Sequence, residues 1–209
     1  FKNAFPKMHE ALGIVYTPVE IVDFIIRSVH HILISEFNLP KGIGEHGIKI
    51  LDPFTGTGTF LVRLLQSGLI KQKDLAFKYQ NDMFASEIVL LAYYIACINI
   101  EETFHGVTKQ REYVPFEGIC LTDTFRMDAT GKNTLTEMFS NNAERVKRLV
   151  SNDIRVIIGN PPYSVGQRSA NDDNQNQDYP ELDNRIAKTY AAGSDATNKN
   201  SLYDSYIRA

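Results

Sequence analysis

Apolar positions along the chain follow two periods, one helical and one too short for a helix. Residues 19–34 carry Ile21, Ile25, Val29 and Ile32 on one helical face with Phe24 beside it, which predicts an amphipathic helix. Thr17 stands at the capping position and Pro18 at the first helical position. Four short apolar runs, at 48–51, 83–88, 118–125 and 154–158, have the length and composition of buried strands. Helical patterns at 59–67, 89–100 and 135–150 separate them. Residues 68–82 are polar and somewhat basic, with Lys71, Lys73 and Lys78, and read as an insertion holding a short helix. Alternation of strand and helix predicts an α/β fold with parallel pairing and right-handed crossovers. Beyond the fourth strand, residues 169–178 are nearly all amide and acid and cannot bury a core. They read as a solvated loop or as a lid that orders on a ligand. Residues 180–190 return to helical spacing, with Leu182, Ile186 and Tyr190 on one face.

Two loops at strand ends carry candidate chemistry. Asn160-Pro161-Pro162-Tyr163 follows the fourth strand, where open α/β sheets bind ligands. Two prolines stop the strand and remove two N–H donors. The Asn160 amide and backbone carbonyls remain as acceptors suited to an amino group, and the Tyr163 ring can stack on a flat partner. The plain alternative is a strand stop with Tyr163 in the core. Asp52-Pro53-Phe54-Thr55-Gly56-Thr57-Gly58-Thr59 joins the first strand to a helix. Gly56 and Gly58 permit a tight turn close to a ligand, and Thr57 or Thr59 can cap the helix. A dinucleotide loop would have a third glycine at fixed spacing. A triphosphate loop would have Lys-Ser or Lys-Thr. Neither is present, and Asp52 ahead of the glycines suits a ligand bearing positive charge.

Together these loops resemble class I S-adenosylmethionine-dependent methyltransferases of the amino-methyltransferase branch. Asp-Pro-Phe-x-Gly-x-Gly with Asn-Pro-Pro-Tyr looks like the N6-adenine DNA methyltransferases. The stretch Gly13 to Phe24, with Tyr16-Thr17-Pro18 ahead of a helix, is similar to the Thr-Pro segment of their γ order. The segments are closest to the methyltransferase part of single-polypeptide type I restriction–modification enzymes. The stretches 179–190 and 201–208 add to that likeness.

The resemblance implies a Rossmann-like methyltransferase fold, with a mostly parallel sheet and helices on both faces. The expected strand order is 3-2-1-4, reversing between strands one and four, so that Asp52, Gly56 and Gly58 share a crevice with Asn160 and Tyr163. S-adenosyl-L-methionine would lie across strands one to three. Its amino-acid end would meet Tyr16, Thr17 and Pro18 and the stretch Asp52, Pro53, Phe54, Gly56, Gly58 and Thr59. Its ribose would meet Glu87 beside Ile88, and its adenine Asp123 and the backbone near Thr124. Glu87 also reads as a charge at a helix start, and Asp123 as a cap. The Asn160 oxygen and the Pro161 carbonyl would hold the target amino group. Pro162 would shape the turn, and Tyr163 would stack on a base flipped out of duplex DNA. No metal is implied.

The remaining features bear on setting. Lys and Arg number 22 against 25 Asp and Glu, a net charge of −3. That disfavours DNA binding by this region alone and leaves action on DNA within a larger enzyme. Target-recognition, nuclease and helicase domains would lie elsewhere in a parent chain. Cys97 and Cys120 are isolated, as in a reducing, cytoplasmic compartment. The end at Ala209, inside a pattern of Leu202, Tyr203, Tyr206 and Ile207, suggests a C-terminally truncated fragment. The expected organisation is one methyltransferase domain: helix and loop 18–47, cofactor-binding core 48–163, polar region 164–199 and a helix start at 200–209. Modification of a protein glutamine amide or an RNA base amino group is the alternative chemistry. A non-catalytic cofactor-binding scaffold is the alternative class.

Overall fold

The computed structural model describes residues 17–126, 140–161 and 179–195. Residues 17–160 fold as one unit, and 161 and 179–195 belong to a second. In the first, α1 (Val19–Ser35) leads through a short 3-10 turn (Gly42–Gly44) to β1 (Lys49–Asp52). Then come α2 (Thr59–Gln66), α3 (Gln72–Asn81), β2 (Met83–Glu87) and α4 (Leu90–Thr108). β3 (Ile119–Leu121), a 3-10 turn (Thr124–Arg126), α5 (Ser140–Ser151) and β4 (Ile154–Ile157) complete it.

The four strands pair in parallel in the order β3-β2-β1-β4, as expected. Successive strand residues point to opposite faces. Ile50, Met83, Ala85, Ile119 and Val156 join the larger core with α1, α2, α3 and α4. Leu51, Phe84 and Cys120 pack on the other face against Val146 and Leu149 of α5. Helices therefore cover both faces. β2, central among these strands, is buried throughout. β4 was expected to be buried, yet Ile157 is 67% exposed, because β4 has only β1 beside it among the described residues.

Two local expectations are corrected, and a third segment gains detail. Pro18 is the N-cap of α1, its carbonyl accepting from the N–H groups of Ile21 and Val22, and Thr17 caps nothing there. The buried face of α1 is Val22, Ile26 and Leu33, whereas Ile21, Phe24 and Ile32 are exposed. Apolar residues surround this helix, so spacing alone does not select the core face. Residues 68–82, read as an insertion with a short helix, contain the packed helix α3. Lys78 is fully buried, its ammonium donating to the carbonyls of Glu45 and Ile48 at 3.0 and 2.6 Å and pairing with Asp82 at 3.2 Å. Beside it the Tyr79 ring stacks on Phe104 at 3.7 Å.

In the second unit, α6 (Pro180–Lys188) buries Ile186, with Tyr179 buried ahead of it. Tyr190, expected on the same face, lies beyond the helix and is 76% exposed. The polar stretch 169–178 and the helix start at 200–209 lie outside the described residues. No described helix is long and apolar enough to cross a membrane.

Candidate functional site

The carboxyl ends of β1, β2, β3 and β4 bring most of the candidate residues to one end of the sheet. β1 ends in Asp52, which is fully buried. Its Oδ1 accepts from the Phe54 N–H at 3.2 Å, and its Oδ2 has no hydrogen-bond partner among the described residues. Burial is the main reason its pKa is pushed up to about 8; the neighbouring Glu87 carboxylate adds to the rise, and the Phe54 N–H opposes it.

The turn after Asp52 is held from several sides. Thr55 Oγ1 donates to the Asp52 carbonyl at 2.9 Å, and its N–H to the Ser86 carbonyl at 3.1 Å. Gly56 and Gly58 both take positive φ, 55° and 89°, which side chains disfavour. A Cβ on Gly56 would meet nothing within 4 Å, so the turn has open space above it. Gly58 is the N-cap of α2 and makes no side-chain cap; neither Thr57 nor Thr59 fills that role.

Glu87, at the end of β2, has both oxygens engaged. Oε2 accepts from Gly56 N–H at 2.7 Å, and Oε1 from Ile88 and Val89 N–H at 2.9 and 2.8 Å. This carboxylate links the glycine turn to the start of α4, so its expected helix-start role is present along with a second one. Burial raises its pKa against the pull of those three donors. Asp123, 4% exposed, accepts from Phe125 N–H at 3.0 Å, which is the capping geometry. Thr124 Oγ1 donates to the Pro53 carbonyl at 2.7 Å and lies 2.7 Å from Ser86 Oγ, which itself reaches Pro53 O at 3.0 Å. One carbonyl thus joins the ends of three strands. Phe54 and Phe125 rings lie 5.4 Å apart over the same region.

Asn160 follows β4. Its Nδ2 donates to Thr17 Oγ1 at 3.0 Å, across 143 positions in sequence. Gly159 lies so close to β1 that a Cβ there would meet Asp52 Oδ1 at 2.8 Å. The structure therefore gathers Thr17, Asp52, Gly56, Glu87 and Asn160 at one end of the sheet, with Asp123 and Thr124 on its β3 side. Pro18 is exposed at the head of α1, and Pro161 is half-buried after Asn160. Tyr16, Pro162 and Tyr163 lie outside the described residues.

Ser86 was missed by sequence reasoning, although a serine inside an otherwise apolar strand is a signal. The Thr17–Asn160 bond had no local signal at all. Two buried carboxylates, one with an orphaned oxygen, next to an open glycine turn fit a cationic ligand.

The N-6 DNA methylase family model matches residues 2–193. Among solved structures, the chain is 40% identical to the DrdV enzyme in its DNA complex, with a TM-score of 0.86 over 100% of this chain. A nuclease-deletion mutant of the type ISP restriction–modification enzyme LlaGI, bound to a DNA substrate mimic, is 45% identical over 98% of this chain with a TM-score of 0.83. The ATP-dependent type ISP restriction–modification enzyme LlaBIII, bound to DNA, is 46% identical over 100% of this chain with a TM-score of 0.85. The chain spans 20%, 17% and 14% of the lengths of these three proteins. No curated protein sequence matches it.

Proposed function

The chain belongs to the N-6 DNA methylase family, and on that footing we propose that the full-length protein methylates the N6 amino group of adenine in DNA, with S-adenosyl-L-methionine as donor, within a restriction–modification enzyme. The observation that carries this reading is the placement of Asn160 beside β1. It is bonded to Thr17, and Gly159 packs its strand end against the buried Asp52.

The adenine amino group is a poor nucleophile because its lone pair is delocalised into the ring. Two acceptors off the ring plane hold its N–H bonds and favour a tetrahedral nitrogen. The bond to Thr17 commits the Nδ2 end of the Asn160 carboxamide and so gives the acceptor role to Oδ1. By the likeness of the Asn-Pro-Pro-Tyr motif, the Pro161 carbonyl would be the second acceptor and Tyr163 would stack on the target base. That base must first leave the duplex, at a cost of roughly a few kcal/mol. The residues act by positioning and electrostatics.

The cofactor, when bound, supplies an activated methyl group on a sulfonium. The orphaned Asp52 oxygen and the open turn at Gly56 and Gly58 suit its amino-acid end, with Thr17, Pro18, Pro53, Phe54 and Thr59 in the same unit. Glu87 and Ile88 hold the ribose, and Asp123 and Thr124 the adenine. We take residues 48–163 as the cofactor and target core of the methyltransferase domain. The three similar enzymes are at least five times longer than this chain, so target-recognition, nuclease and helicase regions are expected elsewhere in the protein. The net charge of −3 agrees with DNA being held largely by those regions. This reading requires the cytoplasm.

In the full-length protein, Asn160→Ala is expected to bind cofactor within about twofold of wild type and to lose methyl transfer by about a hundredfold or more. Loss of both would make Asn160 a structural residue and remove it from the chemistry.

A further inference from the structure

One buried carboxamide outside this site does for β3 what a neighbouring strand would do. Asn142, 5% exposed on α5, accepts from the Leu121 N–H through Oδ1 and donates to the Leu121 carbonyl through Nδ2, both at 2.8 Å. β3 is three residues long and pairs on its other side with β2, in the register Glu87↔Leu121. The Thr122 N–H continues that pairing to the Glu87 carbonyl at 2.9 Å. Leu121 is therefore gripped from both edges, and Asp123 leaves it two residues later. Downstream, the Asp123–Phe125 turn and the Thr124–Pro53 bond fix the chain again.

α5 does not depend on Asn142 for its seat. Val146 and Leu149 pack against Leu51, Phe84 and Cys120. Arg145 pairs with Glu117 at 2.8 Å and reaches the Tyr93 hydroxyl at 2.8 Å. Removing the carboxamide thus leaves the helix anchored and frees one edge of the end of β3, leaving only the β2 side and the turn at Asp123 to hold it. We propose that Asn142 is a positioning residue for cofactor-adenine recognition, acting through Leu121 to set Asp123. The inference rests on the cofactor reading above, in which Asp123 holds the adenine, its carboxylate accepting from the amino group.

The test is calorimetric binding of S-adenosylhomocysteine and of its inosine counterpart, which has a carbonyl in place of the amino group, to full-length protein. Wild type should prefer the adenine form. Asn142→Ala should lower that preference by about tenfold, with little change for the inosine form. Asp123→Ala should erase the same preference, and adding Asn142→Ala to it should cost nothing further. Asn142→Asp keeps size and the Oδ1 acceptor while losing the donor. It should show a partial loss of preference and gives the reading if the alanine variant does not fold. An equal fall for both ligands, with the preference intact, would overturn the inference and leave Asn142 purely structural. Wild-type protein that binds neither ligand would overturn the cofactor reading and the inference with it.

Discussion

Asn160 Nδ2 donates to Thr17 Oγ1 at 3.0 Å, joining the head of α1 to the end of β4. A rotatable carboxamide thereby gains a fixed orientation. Thr17, expected near the cofactor, also accepts from Asn160 through its hydroxyl.

Thr17→Val removes this acceptor while nearly keeping volume. Methyl transfer at saturating cofactor should fall about tenfold, the equivalent of one net hydrogen bond. Thr17→Ser should retain most of it. Single-turnover kinetics on DNA check the pair, and an unchanged rate for the valine variant would detach Thr17 from orientation of Asn160.

Asp52 should make cofactor binding depend on pH. Its folded-state pKa is raised to about 8, so at neutral pH the empty site holds a proton there. A cationic ligand favours the carboxylate and expels that proton. Affinity should rise with pH, by at most about tenfold per unit, and level off above about 8. Stability without ligand should run the other way. The unfolded chain loses the proton at ordinary carboxylate pH while the folded chain keeps it, so stability falls as pH rises through that window. Asp52→Asn should flatten both profiles, measurable by calorimetry and thermal melts.

Ser86 is fully buried, and its hydroxyl reaches the Pro53 carbonyl beside that of Thr124. Ser86→Ala should destabilise by about 1 kcal/mol in urea unfolding, because Thr124 still satisfies the carbonyl. A loss several times larger would mean that Ser86 alone holds the turn.

Gly118 precedes β3, and a Cβ there would lie 2.2 Å from the Met83 carbonyl oxygen. That atom is backbone and cannot swing aside. Gly118→Ala should lower the unfolding free energy by about 1–3 kcal/mol or more. A melt indistinguishable from wild type would contradict the close approach.

The strands and loops of the site were legible because apolar runs end abruptly in short polar motifs. Parallel crossovers then left few strand orders, and 3-2-1-4 is the one found. Side-chain direction was harder to read. Ile21 and Phe24 looked like core at helical spacing, yet Val22 and Ile26 are buried, because α1 is apolar on both sides. The burial of Lys78 was not legible, since nothing local announces the carbonyls of Glu45 and Ile48 or the turn that brings them together. Thr17 with Asn160, and Asn142 with Leu121, are pairings across distant segments that only the folded chain creates.

The most direct measurement is N6-methyladenine in the DNA of a host lacking adenine methylation, expressing the full-length protein or its Asn160→Ala variant. Host DNA is digested to nucleosides and quantified by mass spectrometry. Methyladenine with wild type and none with the variant is the expected result. A folded, cofactor-binding wild-type protein that leaves the DNA unmethylated would contradict the account.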